Sequence, residues 1–408
     1  MRAVTFASLT PDQQRFVQYP TSRHVAGIGA PGSGKTLVLV HRARFLIELG
    51  YEPERIRLVT YTNALEDYIR AGLREFGLPE DMVISYDALM RELHQDLTGK
   101  RVRIPKELSE DERHNFVRDA VGSLVEDRMT GSLFPPKARW DAVFVDEAQD
   151  LSASDIITLS RLSRHVTVVL DARQQLYERG APADQILNAL DLRFETSTFL
   201  STFRCSRAVT AIAAAVAVDA EDRAALPRTV GIARNEITSR RVLASDRAVE
   251  DEFFHSALRA RMSETQSIAV LLPTNFYAYG LAKALREAGF DVEDKKSLDM
   301  TTSAVKVLTY HSAKGLSFDS VFLPRLYESE FARAGRQNRT GLLFVGLTRA
   351  TTYLFLSTLK GKEIREWREF DAVTENHLET IDATAPPVGA VAAALPTTDV
   401  DDYYDDFL

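Results

Sequence analysis

Residues Gly29-Ala30-Pro31-Gly32-Ser33-Gly34-Lys35-Thr36 read Gly, four free positions, Gly, Lys and a hydroxyl side chain, the spacing of a phosphate-binding loop. Glycines at these places let backbone N–H groups curl around phosphate oxygens. Lys35 reaches the β- and γ-phosphates, and the Thr36 hydroxyl holds Mg²⁺. The flanks agree with that reading. His24–Gly27 can form a buried strand entering the loop, and Leu37–Leu46 has the pattern of a helix leaving it. The alternative is an ordinary glycine-rich turn, which would explain neither flank.

Bulk properties set the frame. A chain of 408 residues is long for one core, so two domains are expected. Its 45% hydrophobic and 26% charged residues are those of a globular protein, with no apolar run of membrane-spanning length and no signal-peptide pattern. A single cysteine, Cys205, rules out a disulfide framework or thiolate cluster within the chain, and the cytoplasm is the expected compartment. The net charge of −8 argues weakly against a nucleic-acid partner. Five of those charges, Asp399, Asp401, Asp402, Asp405 and Asp406, lie in the last ten residues, so the rest is near neutral and free to carry a basic groove.

Strand-like runs alternate with helical patterns, the signature of an α/β fold with parallel sheets. The first series is His24–Gly27, Arg57–Tyr61, Met82–Ser85, Ala142–Asp146 and Val166–Asp171. The second is Ser267–Leu272, Val305–Tyr310, Ser320–Leu323 and Tyr353–Ser357, with an Ala-rich helix over Ser206–Val218 between the two. The expected boundaries are 1–198 and 199–382, with an acidic, Ala/Pro/Thr-rich tail over 383–408 expected to be disordered.

The stretch Ala142–Asp150 (A-V-F-V-D-E-A-Q-D) is an apolar strand ending in adjacent carboxylates. A parallel strand delivers such side chains at its carboxyl end, where α/β sheets bind ligands. Asp146 can there hold Mg²⁺ while Glu147 orients and deprotonates a water. The alternative, a solvated acidic strand end, loses ground beside a phosphate loop in the same domain. D-E-A-Q-D resembles the second motif of superfamily 1 helicases of the UvrD/Rep/PcrA type, and further segments follow in that family's order.

The resemblance implies two RecA-like parallel-sheet domains with ATP at their interface, a P-loop NTPase architecture. Leu9–Gln13 looks like the adenine-reading segment, with Gln13 the amide that pairs with the base. Thr60-Tyr61-Thr62-Asn63 is similar to the T-F-T-N motif on the DNA path. Leu170–Tyr177 is similar to G-D-x-x-Q-x-I-Y, making Gln174 the γ-phosphate sensor. Phe203-Arg204 resembles Y-R of the next motif, an adenine-stacking ring and an arginine finger. Thr309–Phe318 (T-Y-H-S-A-K-G-L-S-F) is close to T-x-H-S-A-K-G-L-E-F, which places Gly315 at the nucleotide. Val345–Ala350 (V-G-L-T-R-A) matches V-G-x-T-R-A, with Arg349 the second finger. Gly29, Ala30, Gly32, Ser33, Gly34, Lys35 and Thr36 hold the triphosphate in this scheme. For the nucleic acid, Tyr61, Tyr177 and His311 are the base-stacking candidates, with Thr60, Thr62 and Thr309 as hydroxyl donors; core packing is the alternative for each aromatic.

Several positions depart from the family pattern. The third motif lacks its base-stacking tryptophan, Ser317 replaces a glutamate, and Asp87 occupies a region where the family has a histidine contact. Only Glu293–Ala304 stands where relatives carry a long second-domain insert, and the first-domain insert is reduced to about Arg91–Arg139. The sequence therefore reads as a short ATP-dependent single-stranded DNA translocase or helicase, 3′ to 5′ by resemblance, using ATP and Mg²⁺. The other reading is a nucleic-acid-sensing ATPase subunit of a repair or anti-phage complex that gates a partner enzyme. The residues do not discriminate DNA from RNA. Tail residues 399–408 are a solubilising end, a docking peptide for a basic partner, or a DNA-mimicking segment that occupies the protein's own groove.

Overall fold

The computed structural model describes residues 4–108, 110–130, 137–171, 179–192, 195–199, 205–217, 223–224, 226–229, 236–265, 267–300, 302–334 and 339–384. The chain divides into two compact units, Met1–Phe203 and Arg204–Leu408.

The first unit is a six-stranded sheet: β1 (Val25–Gly29), β2 (Ile56–Thr60), β3 (Val83–Ser85), β4 (Trp140–Val145), β5 (Ser163–Leu170) and β6 (Thr196–Phe199). Their order is β3-β2-β4-β5-β1-β6, and every pairing is parallel. Parallel ladders put all strand exits on one edge, which is why the phosphate loop after β1 and the carboxylates after β4 share a surface.

Alternation along the strands builds both faces. On β4, Val143 and Val145 point into one cluster and Ala142 and Phe144 into the other. The second face is covered by α1 (Pro11–Val17), α2 (Lys35–Glu48) and α3 (Asn63–Glu75). The first is covered by α4 (Tyr86–Thr98), α5 (Glu110–Thr130), α6 (Ala153–Leu162) and α7 (Ala183–Ala189). Val117, Val121 and Val125 recur every fourth residue along α5 and are buried, so this helix docks by one stripe. The expected insert region, about Arg91–Arg139, spans most of α4 and all of α5.

The second unit holds seven parallel strands in the order β13-β7-β12-β11-β8-β10-β9. They are β7 (Ser239–Ala244), β8 (Ile268–Leu272), β9 (Val292–Asp294), β10 (Val305–Thr309), β11 (Phe318–Leu323), β12 (Ala350–Leu359) and β13 (Leu378–Ala383). Helices α8 (Arg207–Ala215), α9 (Arg247–Met262), α10 (Asn275–Glu287), α11 (Glu328–Ala334) and α12 (Arg339–Leu347) complete it. Ala278, Leu281, Ala282 and Leu285 seat α10 on the sheet.

Four strands exceed the nine expected. β6 and β9 are short, β7 carries two arginines, and β13 mixes polar with apolar residues at the sheet edge, so none shows the apolar run of a central strand. β13 also carries order to Ala383, where the tail was expected to begin. Ser206 caps α8 instead of belonging to it, accepting from the Val209 N–H at 3.3 Å, and the helix stops at Ala215, short of the expected Val218. Among the described residues, no helix is long and apolar enough to cross a membrane. The expected disorder of the tail concerns residues outside those described, apart from Ala383 and Thr384.

A fully buried arginine ties the first unit's layers together. Arg42 of α2 donates to the Phe16 and Val17 carbonyls at 3.0 and 2.8 Å, closing the end of α1. It also donates to Thr167 Oγ1 at 3.0 Å and meets His165 Nε2 at 2.9 Å. Burial lowers the Arg42 guanidinium to about 10, still protonated at neutral pH. Burial first, then the charge of Arg42, lowers His165 to about 3, so its imidazole is neutral and Nε2 accepts. A histidine whose folded pKa lies below its unfolded one stabilises fully above pH 6.5 and loses that stability as pH falls towards 3. We expect His165→Gln to flatten the acid limb of an unfolding curve by up to about 1.4 kcal/mol per pH unit between pH 6 and 4. An unchanged slope in a pH series of denaturant melts would place the acid sensitivity elsewhere.

Candidate functional site

The phosphate loop is held open from behind. Thr10 and Gln13 form a reciprocal capping box at the start of α1, with Pro11 at the first helical position. The Gln13 amide then donates from Nε2 to the Ser33 carbonyl at 2.8 Å, so the adenine-reading candidate also braces the loop. Gly32 and Gly34 have φ of 77° and 84°, a region glycine enters without strain. A Cβ on Gly29 would fall 2.3 Å from Ser33 Oγ, so the loop closes only around glycine. Ser33 Oγ itself is buried without a hydrogen-bond partner.

Lys35 opens α2, 6% exposed, and donates from Nζ to the Gly29 and Ala30 carbonyls at 3.0 and 3.2 Å. Beside it, Thr36 Oγ1 donates to Asp146 Oδ2 at 2.6 Å. That bond joins the exits of β1 and β4 across the intervening β5. Asp146 is 1% exposed; burial, then the neighbouring Glu147 charge, raises its carboxyl to about 6, while Thr36 and Lys35 oppose the rise. A buried acid resting on a hydroxyl, beside an ammonium and an orphaned serine oxygen, fits a hard, oxygen-bound cation with its phosphates.

Glu147 occupies the left-handed region at φ 52°, ψ 45°, a conformation costing a non-glycine residue about 1–2 kcal/mol. The turn lets its backbone N–H donate to Asp146 Oδ1 at 3.0 Å and starts a single 3₁₀ turn, Ala148–Asp150. Gln149, fully buried, donates from Nε2 to Glu147 Oε2 at 2.5 Å and accepts the Asp171 N–H at 3.1 Å. It thereby links the candidate base to the end of β5, where the segment of Gln174 begins. The sequence reading did not single out Gln149; the fixed position two residues after Glu147 was its only signal.

The nucleic-acid candidates divide. Thr60 is 1% exposed with Oγ1 donating to the Thr62 carbonyl at 3.2 Å, and Thr62 Oγ1 caps α3 by accepting from Leu65 N at 3.3 Å. These hydroxyls are engaged within the unit. Tyr61 is half-buried, and its hydroxyl is pushed up to about 12, chiefly by burial. Asn63 begins α3, its side chain lying outside the description, and Tyr177 and Gln174 lie outside the described residues altogether. Asp87, where the family pattern has a histidine contact, instead receives Arg118 Nε at 2.8 Å and lies 2.8 Å from His114, both from α5.

In the second unit, Thr309 ends β10 with Oγ1 donating to Ser312 Oγ at 3.0 Å, and His311 is half-buried in the turn that follows. Gly315 has φ 81°, where glycine is favoured. Arg349 is 1% exposed; it donates to the Val345 carbonyl at 2.9 Å, the Leu316 carbonyl at 3.2 Å and Thr348 Oγ1 at 3.1 Å. The guanidinium thus binds together the two segments that the sequence had nominated. Tyr310 packs its ring on Gly346, where a Cβ would come within 2.4 Å, so that glycine is required by close approach. Phe203 and Arg204 lie outside the described residues.

Residues 9–107 match the family model of the UvrD/REP helicase N-terminal domain, and residues 280–361 that of the UvrD-like helicase C-terminal domain. A protein of Acanthamoeba polyphaga mimivirus, provisionally named an ATP-dependent DNA helicase, is 24% identical over 380 residues, covering 81% of this chain and 50% of its own. The chain therefore spans about half the length of that curated relative. A solved structure, the C-terminal domain of a protein from Lactobacillus plantarum provisionally termed a DNA helicase, is 18% identical with a TM-score of 0.34, covering 45% of this chain and 99% of that one.

The bridge through Gln149 yields a direct expectation. Gln149→Ala removes this restraint on the Glu147 carboxylate, so any turnover of a triphosphate at this corner is expected to fall about tenfold to a hundredfold while nucleotide affinity stays within about threefold. Unchanged turnover would show that the bridge does not orient Glu147.

Proposed function

We propose that this chain, which carries both UvrD-like helicase domains, is an ATP hydrolase that moves along single-stranded DNA. The observation that carries the reading is the Thr36–Asp146 bond, which sets a phosphate loop, Lys35 and two adjacent carboxylates on one sheet edge. Glu147 takes the proton of the attacking water, and Gln149 holds its carboxylate at one oxygen. Lys35 turns from the Gly29 and Ala30 carbonyls to the β- and γ-phosphates. Mg²⁺, held through Thr36 and Asp146, would neutralise charge building on the phosphate oxygens. Arg204 and Arg349 supply further positive charge to the γ-phosphate, and Gln174 reports its presence, as the sequence resemblance implies.

The polarity of movement, 3′ to 5′, belongs to the same proposal, as do the strand contacts of Tyr61, Tyr177 and His311. A second reading, an ATPase subunit that senses nucleic acid and gates a partner, is favoured by one observation. β9 ends at Asp294 and β10 begins at Val305, leaving little room for a duplex-engaging insert.

The test is ATP turnover with and without an oligothymidine, paired with unwinding of duplexes bearing either overhang. The proposal expects turnover raised by the oligonucleotide, unwinding from a 3′ overhang, and loss of about a hundredfold or more in Lys35→Ala and Glu147→Gln. Stimulated turnover without unwinding selects the second reading. Turnover retained in either variant, or absent from the wild type, overturns the site.

A further inference from the structure

Two neighbouring residues of α5 reach Tyr61, nominated for the nucleic-acid strand, and Arg179, which follows the other nominated segment. Arg118 is 3% exposed, and its guanidinium carbon lies 5.2 Å from the ring centres of both Tyr61 and Tyr86. Its Nε donates to Asp87 at 2.8 Å. Asp119 accepts from Arg179 Nη2 at 2.6 Å, and Arg179 follows the segment after β5. Arg179 and the Tyr86 hydroxyl meet on Asp155 at 3.4 and 3.0 Å. In the sheet order β2-β4-β5, these contacts straddle the exit of β4, where the carboxylates sit.

A charge this deeply buried is costly unless paired, and Asp87 pairs it. The pair then does something packing alone would not require: it holds a guanidinium over the ring of a half-buried tyrosine. Burial disfavours the guanidinium charge, but Asp87 and Tyr61 more than restore it, so the clamp stays ionised. An aromatic platform that stacks on bases loses affinity if its ring must be ordered on binding.

We infer that Arg118 is a positioning residue that, with Asp87, holds the Tyr61 ring ready to stack on a base of single-stranded nucleic acid. The reduced insert thereby serves the strand without touching it, and Asp87 stands where it does to neutralise Arg118. This rests on the strand-binding role proposed for Tyr61.

The experiment is a double-mutant cycle read by anisotropy of a fluorescent oligothymidine, with DNA-free ATP turnover as control. Arg118→Met should weaken binding roughly five- to tenfold with DNA-free turnover within about twofold. In a Tyr61→Ala background the same change should add nothing, and Arg118→Lys should recover part of the loss. If stranding Asp87 prevents folding, Arg118→Met with Asp87→Asn removes both partners and is read the same way. Full additivity with Tyr61→Ala, or wild-type affinity in Arg118→Met, overturns the inference while leaving the proposed function standing. A wild-type chain that binds no oligonucleotide overturns both.

Discussion

One hydrogen bond, from the Thr36 hydroxyl to Asp146, joins the phosphate loop to the acidic end of β4 and sets the geometry around it. It can form only because β1 and β4 run parallel and end on the same edge, one strand apart. The flanking features follow from it. Gln13 braces the loop from α1, Arg42 locks α1 against α2 and β5, and Glu147 adopts a strained turn that brings its own N–H onto Asp146. The fold supports a tight polar corner at a cost in burial and backbone strain.

That cost is visible in protonation. Asp146 is raised because its charge is buried beside another carboxylate, with a hydroxyl and an ammonium as partial relief. A cation arriving with phosphates would remove the conflict, which is the physical sense in which the corner suits a metal-bound triphosphate. Arg42 and His165 make a contrasting pair: a buried cation satisfied by carbonyls, a hydroxyl and a neutral imidazole, and so suited to holding layers together.

Much of this was legible in the residues. The loop spacing, the apolar run into Asp146-Glu147 and the alternation of strand and helix announce a parallel α/β unit, because short-range pattern and sheet burial coincide there. Two strands of the second sheet were not legible: β13, at its edge, carries exposed charged residues, and β7 beside it carries two arginines, so their pairing depends on partners far away in the chain. The same holds for the site's supports. Gln149 acts through a carboxylate two residues back, while Arg118 meets Tyr61 and Asp87 from α5, a helix distant from both in the chain. Long-range polar contacts leave no periodic trace.

The account turns on a triphosphate bound with its metal at the Thr36–Asp146 corner. The most direct measurement is equilibrium binding of a fluorescent, slowly hydrolysed ATP analogue to the wild type and to Asp146→Asn, each with Mg²⁺ and with excess chelator. The account predicts that Mg²⁺ tightens binding to the wild type about tenfold or more and that Asp146→Asn loses most of that dependence. Wild-type binding indifferent to Mg²⁺, or a dependence untouched by the substitution, would contradict it.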